Sequence, residues 1–473
     1  MTLQSASLPD VTARNRKWAW AVYDWANSAV VTLVIAAVFP VYYNQVVAKD
    51  LTNAASVFAY TGAIALLLSI MAAPVIGTIG DLTGRRKRLL VVTTTAGSLA
   101  VCALLTTSSG GWVWASLLFI VIQICLNMSF ALYDSLLSHV ARDEERDRLS
   151  TLGYGLGYIG GGLHLAICTF LILSPKTFGL PDTETATRIA LLTAGVWWFI
   201  FALPLFITVP EPAATPLKHQ TEHRNPIADS FKRIGATLAH IRGYRQLFLM
   251  LVAFWLYSDG IGTIIGLSTT YGSEQLRLSS STLIGALLLT QFVAFPYALM
   301  FGRMSDQDSK WRSFFVSFIL WTAITFPLMG FFVAQSEAAT TSAGLAALGE
   351  NEYLSYSPVT VLTLVAINQV FGLIFCWFAG RNLVTPVVNW LTTKHAILMG
   401  VAIYALIAVW AFFTNTPGEF WLLAWLVATV QGGTQALSRS LFSTMTKSKS
   451  GEFFGSTRSP INSAAFSAWC CSV

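Results

Sequence analysis

"GTIGDLTGRRKR", Gly77 to Arg88, gathers one acid and four cations into its last eight residues and places glycines at 77, 80 and 84. Apolar sequence flanks it, 57–80 before and 89–107 after, and each flank is long enough to cross a hydrocarbon core about 30 Å thick. The charged cluster is therefore a turn between two spans. It is not a phosphate cradle, because Gly-x-x-x-x-Gly-Lys-Ser/Thr is absent.

The rest of the chain follows this pattern. Its 473 residues are 55% hydrophobic and 11% charged, where a soluble domain carries about a quarter charged residues. Twelve candidate spans run near 18–44, 57–80, 89–107, 112–138, 150–174, 189–209, 246–271, 281–302, 313–335, 357–380, 396–414 and 418–438. Lipid offers no partner to backbone N–H and C=O groups, so spans of this kind are helices. The expected fold class is an all-α polytopic membrane protein of about 12 transmembrane helices.

A net charge of +6 does not point to nucleic acid, because the cations are sorted by side. Of 29 Lys and Arg, 25 fall on one set of alternating turns; only Lys49, Lys176, Arg188 and Arg277 fall on the other. The asymmetry predicts cytoplasmic N- and C-termini, and no Lys or Arg is expected deep within a span. The six cysteines and six histidines form no disulfide framework and no metal-ligand spacing, so neither a metal nor a cofactor is expected. The first apolar run lacks a small-residue cleavage site and reads as a retained span.

The stretch 210–245 is the longest polar segment and divides the spans six and six, giving an N-terminal bundle (1–209), a cytoplasmic linker (210–245) and a C-terminal bundle (246–455). The opening turn has an echo. Gly302, Asp306 and Lys310 repeat the spacing of Gly77, Asp81 and Arg85, 225 residues later and again on a cytoplasmic turn. Repeated halves are the sequence sign of a transporter with its substrate site between them. A second echo pairs Ala131–Ser138, "ALYDSLLS", with Ala436–Ser443, "ALSRSLFS", 305 residues later. The larger offset predicts a two-helix insertion near 313–395. It also implies that the last two helices of the pattern are missing and that 456–473 is an aberrant tail.

Gly77-x-x-x-Asp81-x-x-Gly84-Arg85-Arg86 resembles the signature loop of the major facilitator superfamily. "YDWANSA" (23–29), "LGYIGGG" (156–162), "YSDGIGTI" (257–264) and "VQGGTQALSRSLF" (430–442) followed by "SGEFFG" (450–455) resemble its "unknown major facilitator" branch, which includes the autophagy-associated vacuolar amino-acid effluxers of fungi. The resemblance implies two pseudo-repeated helical bundles, alternating access and coupling to an ion gradient. It implies a small-molecule substrate, with amino acids as the class suggested by the fungal relatives, H+ or Na+ as the ion and the lipid bilayer as surroundings. The expected location is a bacterial inner (cell) membrane.

Two groups of residues are candidates for function. Gly77, Asp81, Gly84, Arg85 and Arg86, with Gly302, Asp306 and Lys310, are candidates for conformational gating; the alternative is a cation cluster that only fixes topology. Asp81 is expected to accept N–H groups at the next helix start, and Arg85 and Arg86 to pair with it. Within spans an ionisable group costs roughly 2.5–3.5 kcal/mol and faces a bundle interior or an aqueous path. On that ground Tyr23, Asp24 and Asn27, and Tyr257, Asp259 and Gln291, are the substrate or proton-coupling candidates. Each Tyr-Asp neighbour pair is suited to bind an ammonium group or exchange a proton; the alternative is a structural bond between helices. Ser28, Asn127, Asn368, Gln369 and His164 read first as helix-to-helix bonds. Asp134 leads into "ARDEERDR", a solvated mixed-charge turn by the simpler reading; the echo with Arg439 offers an ion pair as the other. The glycine run 153–162 is expected to serve close packing.

Catalytic residues are not expected, since neither His-Glu-x-x-His nor Gly-x-Ser-x-Gly occurs. The function classes left are a secondary transporter, a non-transporting receptor or scaffold, and an inactive truncated transporter.

Overall fold

The computed structural model describes residues 11–213, 245–304, 309–348, 358–388 and 391–446. Every regular element among them is helical. Helix α1 (Val11–Val30) runs on through a π-helical stretch, Val31–Ala37, and two short pieces, Phe39–Tyr42 and Tyr43–Val47. Pro40 lacks an N–H and crowds the turn before it, and just upstream the Val38 N–H reaches back five residues to the Leu33 carbonyl, 2.9 Å away. Next come α2 (Ala54–Thr83), α3 (Arg86–Ala103), α4 (Trp112–Val140), α5 (Arg146–Leu173) and α6 (Thr183–Thr208). Then follow α7 (Arg245–Glu274), α8 (Ser280–Gly302), α9 (Ser309–Leu348) and α10 (Pro358–Phe375), which continues through Cys376–Gly380 and Arg381–Val388. The last are α11 (Thr393–Phe413) and α12 (Pro417–Met445).

Eleven of the described helices are long and apolar enough to cross a bilayer. The twelfth expected span lies in α12, whose 29 residues have the length but carry Gln431, Thr434, Gln435, Ser438 and Arg439. Two boundaries differ from expectation. Helix α9 continues well past 335 to Leu348, because an alanine-rich stretch propagates a helix after apolarity fades. Helix α12 continues past 438, so Arg439 lies inside a helix and is 6% exposed. Most of the linker, Asp306 of the second turn, "SGEFFG" and the tail 456–473 lie outside the described residues.

The chain divides into two compact units, Met1–Thr263 with Arg439–Val473, and Ile264–Ser438. In the first, α1 packs along α5 and α6, α2 along α4, and α3 against α4 and α6. Small residues allow this: a Cβ added at Gly97 of α3 would stand 2.6 Å from the Trp198 ring of α6, the close approach that lipid-embedded helices use in place of a hydrophobic drive. In the second unit α9 packs on α10 and on Arg381–Val388. There Asn368 Oδ1 accepts from Trp321 Nε1 at 3.0 Å and Gln369 Oε1 from Tyr297 OH at 2.9 Å. These two residues form the helix-to-helix bonds expected of them.

Candidate functional site

The first unit buries a charged node built from four helices. Arg439 of α12 donates from Nη1 to Asp24 Oδ2 of α1 at 3.0 Å and to Asp134 Oδ1 of α4 at 3.2 Å. Its Nε and Nη2 go to the Ser150 hydroxyl and carbonyl of α5, at 2.9 and 2.8 Å. All three charged groups are buried. The guanidinium carbon also lies 4.8 Å from the Trp20 ring centre, 5.5 Å from Tyr133 and 4.3 Å from Tyr154, so aromatic faces replace the water the cation has lost.

The solvated-turn reading of Asp134 is therefore overturned, because helix α4 carries it inward; the ion pair with Arg439 is what forms. The turn after it is divided. Arg142, Asp143 and Glu144 are exposed, whereas Arg146 is buried, pairing with Asp143 at 2.9 Å and donating to the Ser443 carbonyl at 3.3 Å. Arg439 and Arg146 thus tie α12 and α5 together in both directions. Lys17 of α1 meets Glu145 at 2.6 Å nearby.

Glycine makes room for the node. A Cβ at Gly153 of α5 would lie 2.5 Å from Asp24 Oδ2, 3.1 Å from Arg439 Nη2 and 3.3 Å from the Trp20 ring. Gly157, Gly160 and Gly161 leave similar space for Ser28, Trp25 and Thr32 of α1. Overpacking a full site costs typically 1–3 kcal/mol. We expect Gly153→Ala to lose about that much in detergent unfolding, while Gly260→Ala, where a Cβ would meet nothing within 4 Å, is neutral or slightly stabilising.

The turn that opens the sequence reading is a second buried pair. Arg86 Nε lies 2.7 Å from Asp81 Oδ1, and the two side chains are 1% and 0% exposed. Arg86 Nη1 is 2.7 Å from His139 Nε2 of α4, and His139 Nδ1 is 2.9 Å from Ser138 Oγ. With the guanidinium donating, Nε2 is the acceptor and the ring is neutral. Gly84 has φ +64°, the left-handed cap that ends α2 and that L side chains adopt poorly. Arg85 is exposed, so of the two arginines Arg86 is the one found on Asp81. The start of α3 also differs: the Lys87 N–H goes to the Glu211 carboxylate at 2.8 Å, a partner supplied from beyond α6. Gly77 is buried within α2; Gly302 is buried and Lys310 exposed.

The other sequence candidates separate. Tyr23 is fully buried but pairs with Thr94 at 2.6 Å; the phenol on Asp24 is that of Tyr133, 3.0 Å from Oδ2. Asn27 is 2% exposed and its Nδ2 has no hydrogen-bond partner among the described residues. Tyr257 and Asp259 are half-buried on α7, Tyr257 packing edge-on to Phe254. Gln291, 8% exposed, belongs to the second unit. Ser28 bonds its own helix at the Asp24 carbonyl; Asn127 reaches Ser69 and His164 reaches Thr193, both at 3.2 Å.

The family described as "Vacuole effluxer Atg22 like" matches residues 50–146, 138–335 and 324–456. An uncharacterized MFS-type transporter of Bacillus subtilis (strain 168), YxiO, is 30% identical over 445 residues, covering 92% of this chain and 82% of its own length. Autophagy-related protein 22-1 of Aspergillus niger is 29% identical over 160 residues, which is 32% of this chain and 25% of the fungal protein. Among solved structures, the proton:xylose symporter XylE bound to 6-bromo-6-deoxy-D-glucose aligns with a TM-score of 0.49 and 14% identity, covering 96% of this chain and 95% of that one. A sequence match that runs through most of the chain makes this an integral membrane protein of the Atg22-like vacuole effluxer family, within the major facilitator transporters.

Proposed function

We propose that this chain moves a small solute of the amino-acid class by alternating access, driven by an H+ or Na+ gradient, with both termini in the cytoplasm of a bacterial cell. The cation asymmetry supports that orientation, and the likeness to the Bacillus relative supports the cell membrane.

The observation that carries the reading is the buried Asp24–Arg439–Asp134 node. A buried ion pair is weak as a source of stability, since apolar packing of the same volume does as well or better. Its use is as an element with two states, made in one conformation and broken in another. A helix held by Arg439 and Arg146 on one side of such an equilibrium is a gate.

Asp259 fits the solute rather than the gate. It is half-buried on α7 beside Gly260, where a Cβ would meet open space, and a carboxylate in such a place suits an ammonium group. The test is uptake or efflux of labelled amino acids by proteoliposomes holding the full chain under an imposed H+ or Na+ gradient. We expect Asp259→Asn to abolish movement of amine-bearing solutes without reducing membrane insertion. Unchanged transport by that variant removes Asp259 from the solute path, and absence of gradient-driven flux for every solute tried overturns the reading as a whole.

A further inference from the structure

We propose that the second unit carries a binding site for an anionic phospholipid, where the end of α8, the start of α9 and the continuation of α10 meet around Trp311, with Arg381 and Arg303 as the cations that take its phosphate. The site goes beyond the transport reading, and its test reads lipid binding alone.

The first observation is a cluster of rings. Trp311 of α9 lies 5.2 Å from Trp377 in the continuation of α10 and 5.8 Å from Phe315, and Phe314 meets Trp377 edge-on at 5.5 Å. Both tryptophans are exposed. Exposed tryptophans near the end of a span belong at headgroup level, where one part of the ring is apolar and the other wet. The backbone behind them is fixed: a Cβ added at Gly380 would stand 3.3 Å from that of Ser317, and Thr385 donates to Ser313 at 3.0 Å.

The second observation is what the rings carry. The Arg381 guanidinium carbon is 4.9 Å from the Trp377 ring centre, and that of Arg303 is 6.0 Å from the Phe315 ring centre. The aromatic cluster therefore has a cation on each flank. Arg86, Arg146, Arg188 and Arg439 each have a carboxylate; among the described residues Arg381 and Arg303 have ring faces instead. Arg381 also lies inside the apolar stretch Val359–Pro386, where a cation needs a counter-charge or a route to the interface. A ring against the flat face of a guanidinium leaves its N–H edge open, and that fork matches a phosphate.

The third observation separates a lipid from a free phosphate. On the same face of α10 as Trp377, Val370 and Ile374 are exposed, an apolar bed that acyl chains fill and an inorganic anion does not. The cation asymmetry of the chain assigns this end of the helices to the cytoplasmic leaflet, the anionic one.

Native mass spectrometry of the full chain in detergent, offered phosphatidylglycerol and phosphatidylcholine in equal amounts, shows which lipid stays bound. We expect phosphatidylglycerol to be preferred, and Arg381→Gln to lower the preference about fivefold, the factor one basic residue near an anionic surface supplies. Arg303→Gln added to it should bring the loss to roughly 25-fold. Arg14→Gln, which removes an exposed cation from the first unit, should leave the preference unchanged. In the wild-type chain, phosphatidylglycerol brominated in its acyl chains should quench tryptophan fluorescence more than brominated phosphatidylcholine does, and Trp311→Phe with Trp377→Phe should remove the difference; this arm needs no arginine variant. Equal retention of the two lipids overturns the proposal, as does a loss with Arg14→Gln as large as with Arg381→Gln. Displacement of phosphatidylglycerol by an equal concentration of glycerol phosphate also overturns it, since the site is then one for a free anion.

Discussion

Arg439→Met should be the most damaging substitution in the first unit: a loss of about 3–5 kcal/mol of stability, the usual result of removing one partner from a buried ion pair, together with loss of transport. The methionine takes the place of the guanidinium beside Trp20 and Tyr154 but removes its N–H groups from Asp24, Asp134 and the Ser150 hydroxyl and carbonyl. Unfolding in detergent, followed by circular dichroism, measures the loss. The triple variant Asp24→Asn, Asp134→Asn, Arg439→Met separates charge from packing. With no charge left uncompensated, it should recover most of the stability, because apolar replacement of an entire buried ion cluster is often neutral. Transport should not return, since the element with two states is gone. An Arg439→Met protein as stable as wild type would show that the node is hydrated and contributes little.

The sequence makes the spans legible because lipid imposes helix on any apolar run of sufficient length. It makes the glycine run on α5 legible because small residues in lipid mark close packing. The pairing of Asp134 with Arg439 was legible only through the echo of "ALYDSLLS" with "ALSRSLFS"; neither residue alone carries it. What misled was adjacency. Tyr23 and Asp24 are neighbours in sequence, but successive residues on a helix point about 100° apart and do not face each other. Hence Tyr23 turns to Thr94 of α3, and the partner of Asp24 comes from α4, 109 residues away. The depth of Arg439 was hidden for another reason: hydropathy ends a span where polarity begins, whereas the helix continues as long as its polar residues find partners inside the protein. Glu211 at the start of α3 was hidden because a capping acid supplied from a distant segment leaves no local signature, unlike Ser279, whose hydroxyl accepts the Thr282 N–H of its own helix at 3.3 Å.

Asp81→Asn should cost as much as the removal of any buried partner, again about 3–5 kcal/mol, and should change which parts of α2 reach water. Asparagine keeps the size and an acceptor oxygen, so the variant removes charge and little else. The Arg86 guanidinium then stays buried against neutral acceptors, the amide oxygen and the His139 ring at 2.7 Å, with no carboxylate among the described residues to balance it. A cation in that position favours any conformation that brings it to solvent, so the turn at Gly84 should open and a cysteine at Thr78, fully buried in wild type, should gain labelling by a membrane-impermeant maleimide. Asp81→Asn with Arg86→Met decides between the two readings of this turn. The neutral pair removes the stranded charge and should restore both stability and protection of position 78. If transport returns with them, the pair serves to hold the turn together. If stability returns and transport does not, the pair acts in the conformational exchange, which is the outcome we expect. On that outcome Asp81 and Arg86 would do on the α2–α3 turn what we propose for Asp24, Asp134 and Arg439, each group fixing one state with a buried charge that the other state would expose to water.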